Sequence, residues 1–178
     1  MRNATYRTIE ELLTRYQLHP DLCDVYVEGE ADRDFLKWFF EVCGRDKVAV
    51  YPIGSIDISA GAILGEGLDD SNKGRVICLA LFLEQNLGDP IHVICIADKD
   101  FDDALKIEHK ATCLVVSDYT SLEMYGFTTE TVHKITRVVG CDAEANGVEI
   151  LSSIEPLLTR LFYVRATSIA LACLIHEG

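Results

Sequence analysis

Basic residues are scarce in this chain: sixteen lysines and arginines stand against twenty-nine aspartates and glutamates, a net charge of −13. A protein that grips nucleic acid by its phosphates usually carries a basic face, and none is advertised here. Carboxylates gathered in a metal site would account for part of the excess, and the remainder suggests that a partner or a further segment supplies phosphate contacts. Long apolar runs are also missing. The stretch Ile169 to Ile175 falls well short of the roughly 20 residues that span a bilayer, and Met1-Arg2-Asn3 leads into no apolar signal region, so the sequence predicts a soluble, cytoplasmic protein. No C-x-x-C pair occurs among the seven cysteines, an odd number that argues against a disulfide framework or a zinc site. Cys23, Cys78, Cys95, Cys113 and Cys173 sit in apolar segments and read as buried, reduced thiols. His19, His92, His109, His133 and His176 show no ligand spacing, and Gly61, Gly65 and Gly67 lack the strand-before, helix-after context of a phosphate loop. Repeats, low-complexity tracts and linkers are absent.

What is present is a chain of 178 residues, 49% hydrophobic, long enough for one well-buried domain. Thr8 and Glu11 form a capping box for a leading helix with Ile9, Leu12, Leu13 and Tyr16 at helical spacing, stopped by His19-Pro20. A strand from Leu22 to Val27 is followed by Gly29, which permits a tight turn, and by a helix with Phe35, Leu36, Phe39 and Phe40 as its apolar stripe, ending at Gly44. Trp38, Phe39 and Phe40 read as core rather than as a base-stacking platform. Lys47 to Ile53 is a second strand, and Gly54 to Gly67 a connection with room for a minor strand. Asn72 is a candidate cap for a helix whose Val76, Ala80 and Leu83 face inward until Gly88-Asp89-Pro90. Ile91 to Ala97 and Thr112 to Val116 are further strands; Ser121 opens a helix, and from Thr129 only helical patterns appear, divided at Pro156. Strands alternating with helices predict an α/β fold with a mostly parallel sheet of about four strands and a helical C-terminal region.

Two apolar strands end in carboxylates: Val25-Tyr26-Val27-Glu28-Gly29 and Ile94-Cys95-Ile96-Ala97-Asp98-Lys99-Asp100. In a parallel sheet all carboxyl ends reach one edge, so Glu28, Asp98 and Asp100 are expected to meet there. Alternation along an extended chain sends Asp98 and Asp100 to one side and Lys99 to the other. Two carboxylates about 4 Å apart repel by about 4 kcal/mol at an effective dielectric of about 20, so such a cluster calls for a cation or bound protons. Oxygen-only ligands point to Mg2+ or Mn2+. Asp102 and Asp103 extend the acidic supply, and Ser117, Asp118 and Glu123 follow the fourth strand.

Val27-Glu28-Gly29, Ala97-Asp98-Lys99-Asp100-Phe101-Asp102, Ser117-Asp118-Tyr119 and Leu122-Glu123-Met124 together resemble the TOPRIM fold of topoisomerases, bacterial primases and OLD-type nucleases. More narrowly they are similar to the TOPRIM-like proteins grouped as domain of unknown function 4435, which include the nuclease effector of the PARIS anti-phage system. The resemblance covers roughly Leu22 to Tyr125. It implies a TOPRIM-like core over 21–127, beside which the residue patterns predict a leading helix over 1–20 and a helical region over 128–178 packed on the same domain. It further implies that Glu28, Asp98 and Asp100 are metal ligands and general base, that Ser117 and Glu123 help hold a second metal, and that Asp32 is an outer or second-metal residue; Asp102, from the acidic supply, is a further candidate metal ligand. The expected activity is metal-dependent hydrolysis of DNA or RNA, in phage defence, with an ABC-type ATPase partner. For the lysine that OLD-type nucleases use late in the domain, Lys134 is the only candidate after Glu123. No winged helix or tyrosine nucleophile motif is visible, which disfavours a topoisomerase.

Two other readings stand beside it. One is a non-catalytic or partner-inhibited TOPRIM-like binding module, motivated by the acidic surface and short length. The other is phosphoryl transfer through an aspartate nucleophile after a hydrophobic strand. The apolar helix Ser168 to Ile175 is expected to lie against further protein, for instance in a homo-oligomer formed through the C-terminal helices.

Overall fold

The computed structural model describes residues 6–88, 92–140, 144 and 146–176. It divides into two compact units, Met1–Lys99 with Glu108–Asp118, and Asp100–Ile107 with Tyr119–Gly178.

In the first unit, β1 (Arg7–Thr8) runs into α1 (Ile9–Leu18) through the capping box: Thr8 Oγ1 accepts from the Glu11 N–H at 3.2 Å, and Glu11 Oε2 accepts from the Thr8 N–H at 2.9 Å. Ile9, Leu12 and Tyr16 form its buried stripe. A β-α-β unit follows, β2 (Cys23–Val27), α2 (Glu30–Val42) and β3 (Val48–Pro52). The glycine-rich connection holds more than a minor strand: after β4 (Ile56–Asp57), which pairs with β1, comes a short helix, α3 (Ala60–Gly65). Ser71, one residue ahead of Asn72, caps α4 (Asn72–Leu87), its Oγ accepting from the Gly74 N–H at 3.0 Å. Helix α4 ends at Gly88, whose φ of +77° is one that glycine adopts without strain; Asp89, Pro90 and Ile91 of the predicted break and strand start lie outside the described residues. Then come β5 (Val93–Ala97) and, after a short segment belonging to the second unit, β6 (Leu114–Val116).

Strands β3, β2, β5 and β6 form one sheet in that order, every pairing parallel, as the sequence predicts. From β2 the chain goes outward to β3, then crosses back over to β5 on the other side of β2. The direction of winding therefore reverses between β2 and β5, the position at which open α/β sheets form their ligand crevice. The core lies on the face carrying Tyr26, Cys95 and Ala97, where α1 and α4 contribute Leu12, Tyr16, Val76, Leu79, Ala80 and Leu83. Each of these leucine and valine side chains is worth about 1.5–3 kcal/mol of burial.

Helix α2 packs on β2 and β3 but buries only Leu36 fully; Phe35, Trp38 and Phe39 are exposed, which corrects their reading as core. At roughly 100° per residue, the apolar positions 35, 36, 38, 39 and 40 spread over more than half of the helix circumference. One sheet face takes only the side that carries Leu36 and Phe40.

A polar network lies inside this core. Asp24, 2% exposed, accepts from Arg15 Nη1 and from the Tyr16 hydroxyl at 2.8 Å, and the Tyr16 and Tyr26 hydroxyls are 2.6 Å apart. Burial first, then the nearby Tyr26 and Asp24, hold the Tyr16 phenol well above its ordinary value, and burial does the same for Tyr26. The unfolded chain releases phenolic protons near pH 10, whereas the folded chain keeps them to higher pH. Stability is therefore intact below about pH 10 and falls as pH rises toward the folded values. Urea titrations above pH 10 are expected to lose up to about 1.4 kcal/mol per pH unit for each phenol, and Tyr16→Phe to halve that slope.

In the second unit, α5 (Asp102–Leu105) is a single turn, and α6 (Thr129–Val138), capped by Thr128, packs on α7 (Gly147–His176). Phe101 stacks on Phe162 at 5.1 Å, and Arg165 lies over the Phe101 ring at 5.8 Å. Ser121 opens a 3-10 turn, Leu122–Gly126, in place of the expected helix. Pro156 does not divide α7, contrary to the sequence expectation. Proline removes the hydrogen bond to the carbonyl of Ser152, and both residues are exposed, so the freed oxygen lies on a stretch that solvent can reach. Leu157, Leu158, Leu161, Tyr163, Val164 and Leu171 of α7 are exposed.

Among the described residues no helix is long and apolar enough to cross a membrane. Cys78, Cys95 and Cys113 are buried free thiols, as expected; Cys23 is half-buried, and the side chain of Cys173 lies outside the described residues. The Cys95 thiol is pushed up by its hydrogen bond with Cys113 and by burial, which keeps it protonated and inert.

Candidate functional site

Glu28 is the first residue after β2 and Asp98 the first after β5, so the two emerge on either side of the point where the winding reverses. They meet through the backbone: Glu28 Oε1 accepts from the Asp98 N–H at 2.8 Å. Both are half-buried. A carboxylate held by a backbone donor has its orientation set before any ligand arrives, the role that outer-shell hydrogen bonds play for metal ligands.

The turn after β5 is clamped at two further points. The N–H of Lys99 donates to Ser117 Oγ at 3.0 Å, and the carbonyl of Lys99 accepts from Lys73 Nζ at 3.0 Å. Ser117 follows β6, is 3% exposed, and its own N–H donates to the Ala97 carbonyl at 3.0 Å. Three side chains from three elements, Glu28, Ser117 and Lys73, thus engage successive backbone groups of Asp98 and Lys99. A turn so tied holds the Asp98 carboxylate in place without a regular secondary structure around it.

Asp32 stands one helical turn into α2, where Oδ2 accepts from the Gly29 N–H at 2.9 Å. It fixes the turn that carries Glu28. Gly29, expected to permit a tight turn, has φ −134°, ordinary extended backbone that any residue adopts. Its use is proximity: a Cβ there would lie 3.3 Å from Asp32 Oδ2.

Asp100, Asp102 and Glu123 belong to the second unit. The extended-chain argument that paired Asp98 with Asp100 fails because β5 stops at Ala97 and Asp100 adopts φ +50°, in the left-handed region. Its N–H donates to the Thr120 carbonyl at 3.2 Å. Asp102 opens α5, 9% exposed, and its carbonyl accepts from the Ile107 N–H at 3.0 Å. Glu123 is exposed in the turn Leu122–Gly126 and borders an open apolar groove of about 420 Å³ with Ile135, Ile150 and Ile154. Lys134 pairs with Glu130 at 2.7 Å along the exposed face of α6.

The residue that sequence reasoning missed is Lys73. The signal was available: a helix that crosses between parallel strands runs antiparallel to them, so its first turn lies at the carboxyl edge of the sheet. Lys73 is the second residue of α4. Gly74 next to it fits tightly, since a Cβ would lie 2.0 Å from the Asp69 carbonyl oxygen. Gly74→Ala is expected to destabilise the protein by about 1–3 kcal/mol through backbone displacement, read as a lowered urea midpoint with unchanged slope, although alanine is the better helix former.

Among the described residues no three His, Cys, Asp or Glu side chains form a group that could hold a metal ion. Glu28 and Asp98, whose turns are joined through the Asp98 N–H, offer oxygen donors only, which suits a hard cation. Magnesium commonly keeps several waters and binds through one or two carboxylates, so Glu28 and Asp98 fit that ion as its protein ligands. No family model matches this chain, and no curated protein matches it.

Proposed function

We propose that this chain is a divalent-metal-dependent nuclease of TOPRIM-like type, hydrolysing phosphodiester bonds of DNA or RNA at the Glu28–Asp98 edge of the sheet. The observation that carries the reading is the junction of the two carboxylate-bearing turns at the reversal point, tied by the 2.8 Å hydrogen bond from the Asp98 N–H to Glu28. Glu28 and Asp98 would hold Mg2+ or Mn2+, which when bound polarises a phosphoryl oxygen and lowers the pKa of a coordinated water. Asp32 and Ser117 keep the two turns in register, and Glu28, oriented through one oxygen, is placed to accept a proton from an attacking water.

Resemblance adds the biological setting: a cytoplasmic defence effector working with an ABC-type ATPase. The charge of −13 suits that arrangement, because a partner carrying the basic surface would present the polyanion to an acidic hydrolase. The test is incubation of the protein, alone and with such an ATPase, with labelled single- and double-stranded DNA and RNA in Mg2+, in Mn2+ and in EDTA. Metal-dependent shortening of at least one substrate is expected; intact substrates under every condition would remove the proposal.

A further inference from the structure

We propose that the open side of β3 is a homodimer interface, at which β3 of a second copy pairs antiparallel to it across a two-fold axis and the two α2 helices lie side by side. The proposal goes beyond the hydrolase reading and does not rest on it. Strand β3 ends the sheet: β2 pairs with one side of it, and among the described residues no strand pairs with the other. Such an edge offers backbone N–H and C=O groups to any extended chain, and proteins usually blunt it with charges or prolines. Val48, Ala49, Val50 and Tyr51 carry no charge, and Pro52 stands only at the end. A groove of about 640 Å³ lies along this strand, walled by Glu30, Arg33, Asp34 and Lys37 of α2.

The charges on that wall name the occupant. These four residues follow one another by about a turn on one side of the helix, and from the amino end they read acid, base, acid, base. A two-fold axis reverses the helix of the second copy. Glu30 then stands opposite its partner's Lys37 and Asp34 opposite its partner's Arg33, and the same pairs recur on the other side of the axis. Two helices running in the same direction would set like charges together instead. The groups have capacity for these contacts. Lys37 is exposed and has no carboxylate partner among the described residues, while Glu30 meets Arg33 of its own helix through Oε2 and keeps its other oxygen. Arg33 also pairs with Asp34 at 2.7 Å, so the two copies would join their Arg33–Asp34 pairs into one network of alternating charge. Helix α2 packs on β2 and β3. Strands paired about 4.8 Å apart would therefore bring the two helices to about the 8–10 Å at which helices pack.

The experiment is sedimentation equilibrium of the full chain at increasing concentration, at which the mass is expected to approach twice the 19.8 kDa of one chain. Lys37→Glu and Glu30→Lys each set like charges across the axis, and each is expected to weaken self-association at least about 10-fold. Mixed in equal amounts, the two variants are expected to associate with one another, because a more acidic wall then faces a more basic one. A variant that had simply lost its fold would not be rescued in this way. Hydrogen exchange at one or more of the backbone amides of Ala49, Val50 and Tyr51 is expected to be slower in the parent dimer than in Lys37→Glu. A parent that keeps the mass of a single chain at every concentration overturns the proposal. So does a parent dimer that Lys37→Glu leaves intact, which would move the contact to another face, such as the exposed apolar side of α7. Two variants that stay apart when mixed overturn it as well, and so do β3 amides that exchange equally fast in dimer and monomer.

Discussion

Asp98→Asn and Glu28→Gln are each expected to lower metal-dependent phosphodiester cleavage by at least about 10³-fold, the loss of about 4 kcal/mol of transition-state stabilisation. Both substitutions keep the size of the side chain. Glutamine at position 28 also keeps an oxygen that can accept the Asp98 N–H, so the junction of the two turns survives while the charge is lost. The fold should therefore be unaffected, with urea midpoints within about 0.5 kcal/mol of the parent. Mn2+ binding, measured by EPR, should weaken together with cleavage, since an amide is a poor ligand for a hard cation. Cleavage at parental rates by both variants would detach the chemistry from this edge. Loss of cleavage with full Mn2+ binding would move the carboxylates from ligation to proton transfer.

How much of this was legible beforehand follows from the kind of signal each residue carries. The parallel sheet could be read because β2 and β5 are short, almost wholly apolar runs whose hydrophobicity stops at a carboxylate; β2 is buried on both faces, whereas β5 buries Val93, Cys95 and Ala97 and leaves Ile94 exposed. The junction of Glu28 with Asp98 followed from topology alone, as parallel strands must deliver their ends to one edge. The alternation argument for Asp98 and Asp100 failed because it extended the strand past Ala97, and the sequence does not reveal where a strand gives way to a turn with φ +50°. Pro156 was misjudged because a local rule, that proline ends helices, ignores whether water can satisfy the carbonyl it frees. The aromatic stripe of α2 failed through geometry, there being more apolar residues than one sheet face can cover. Lys73 went unseen because a lysine in a helix's first turn is unremarkable until the partner of its ammonium group is known.

Asp24→Ala is the substitution expected to harm stability most. It removes the only carboxylate in the network described for Arg15, Tyr16 and Tyr26, so that the two phenolic hydroxyls, 2.6 Å apart, keep only each other and one of their two hydrogens loses its acceptor in a buried site. Removing one partner of a buried ion pair costs about 3–5 kcal/mol. The Arg15 side chain is 24% exposed and can turn toward solvent, which places this case nearer the lower figure. Against a typical total of about 5–15 kcal/mol, the shift is large enough to read as a fall of many degrees in melting temperature. Asp24→Asn keeps an acceptor for Tyr16 and loses only the charge, so it is expected to fall between the parent and Asp24→Ala. The site should be spared at temperatures where the variant is folded, because Asp24 is near the start of β2 whereas Glu28 follows its end. Unchanged kcat/KM with a lowered urea midpoint would therefore separate the two carboxylates of this strand by function: one holds α1 to the sheet, the other serves the reaction. A midpoint within 1 kcal/mol of the parent would mean that the network contributes little to holding β2 and α1 together.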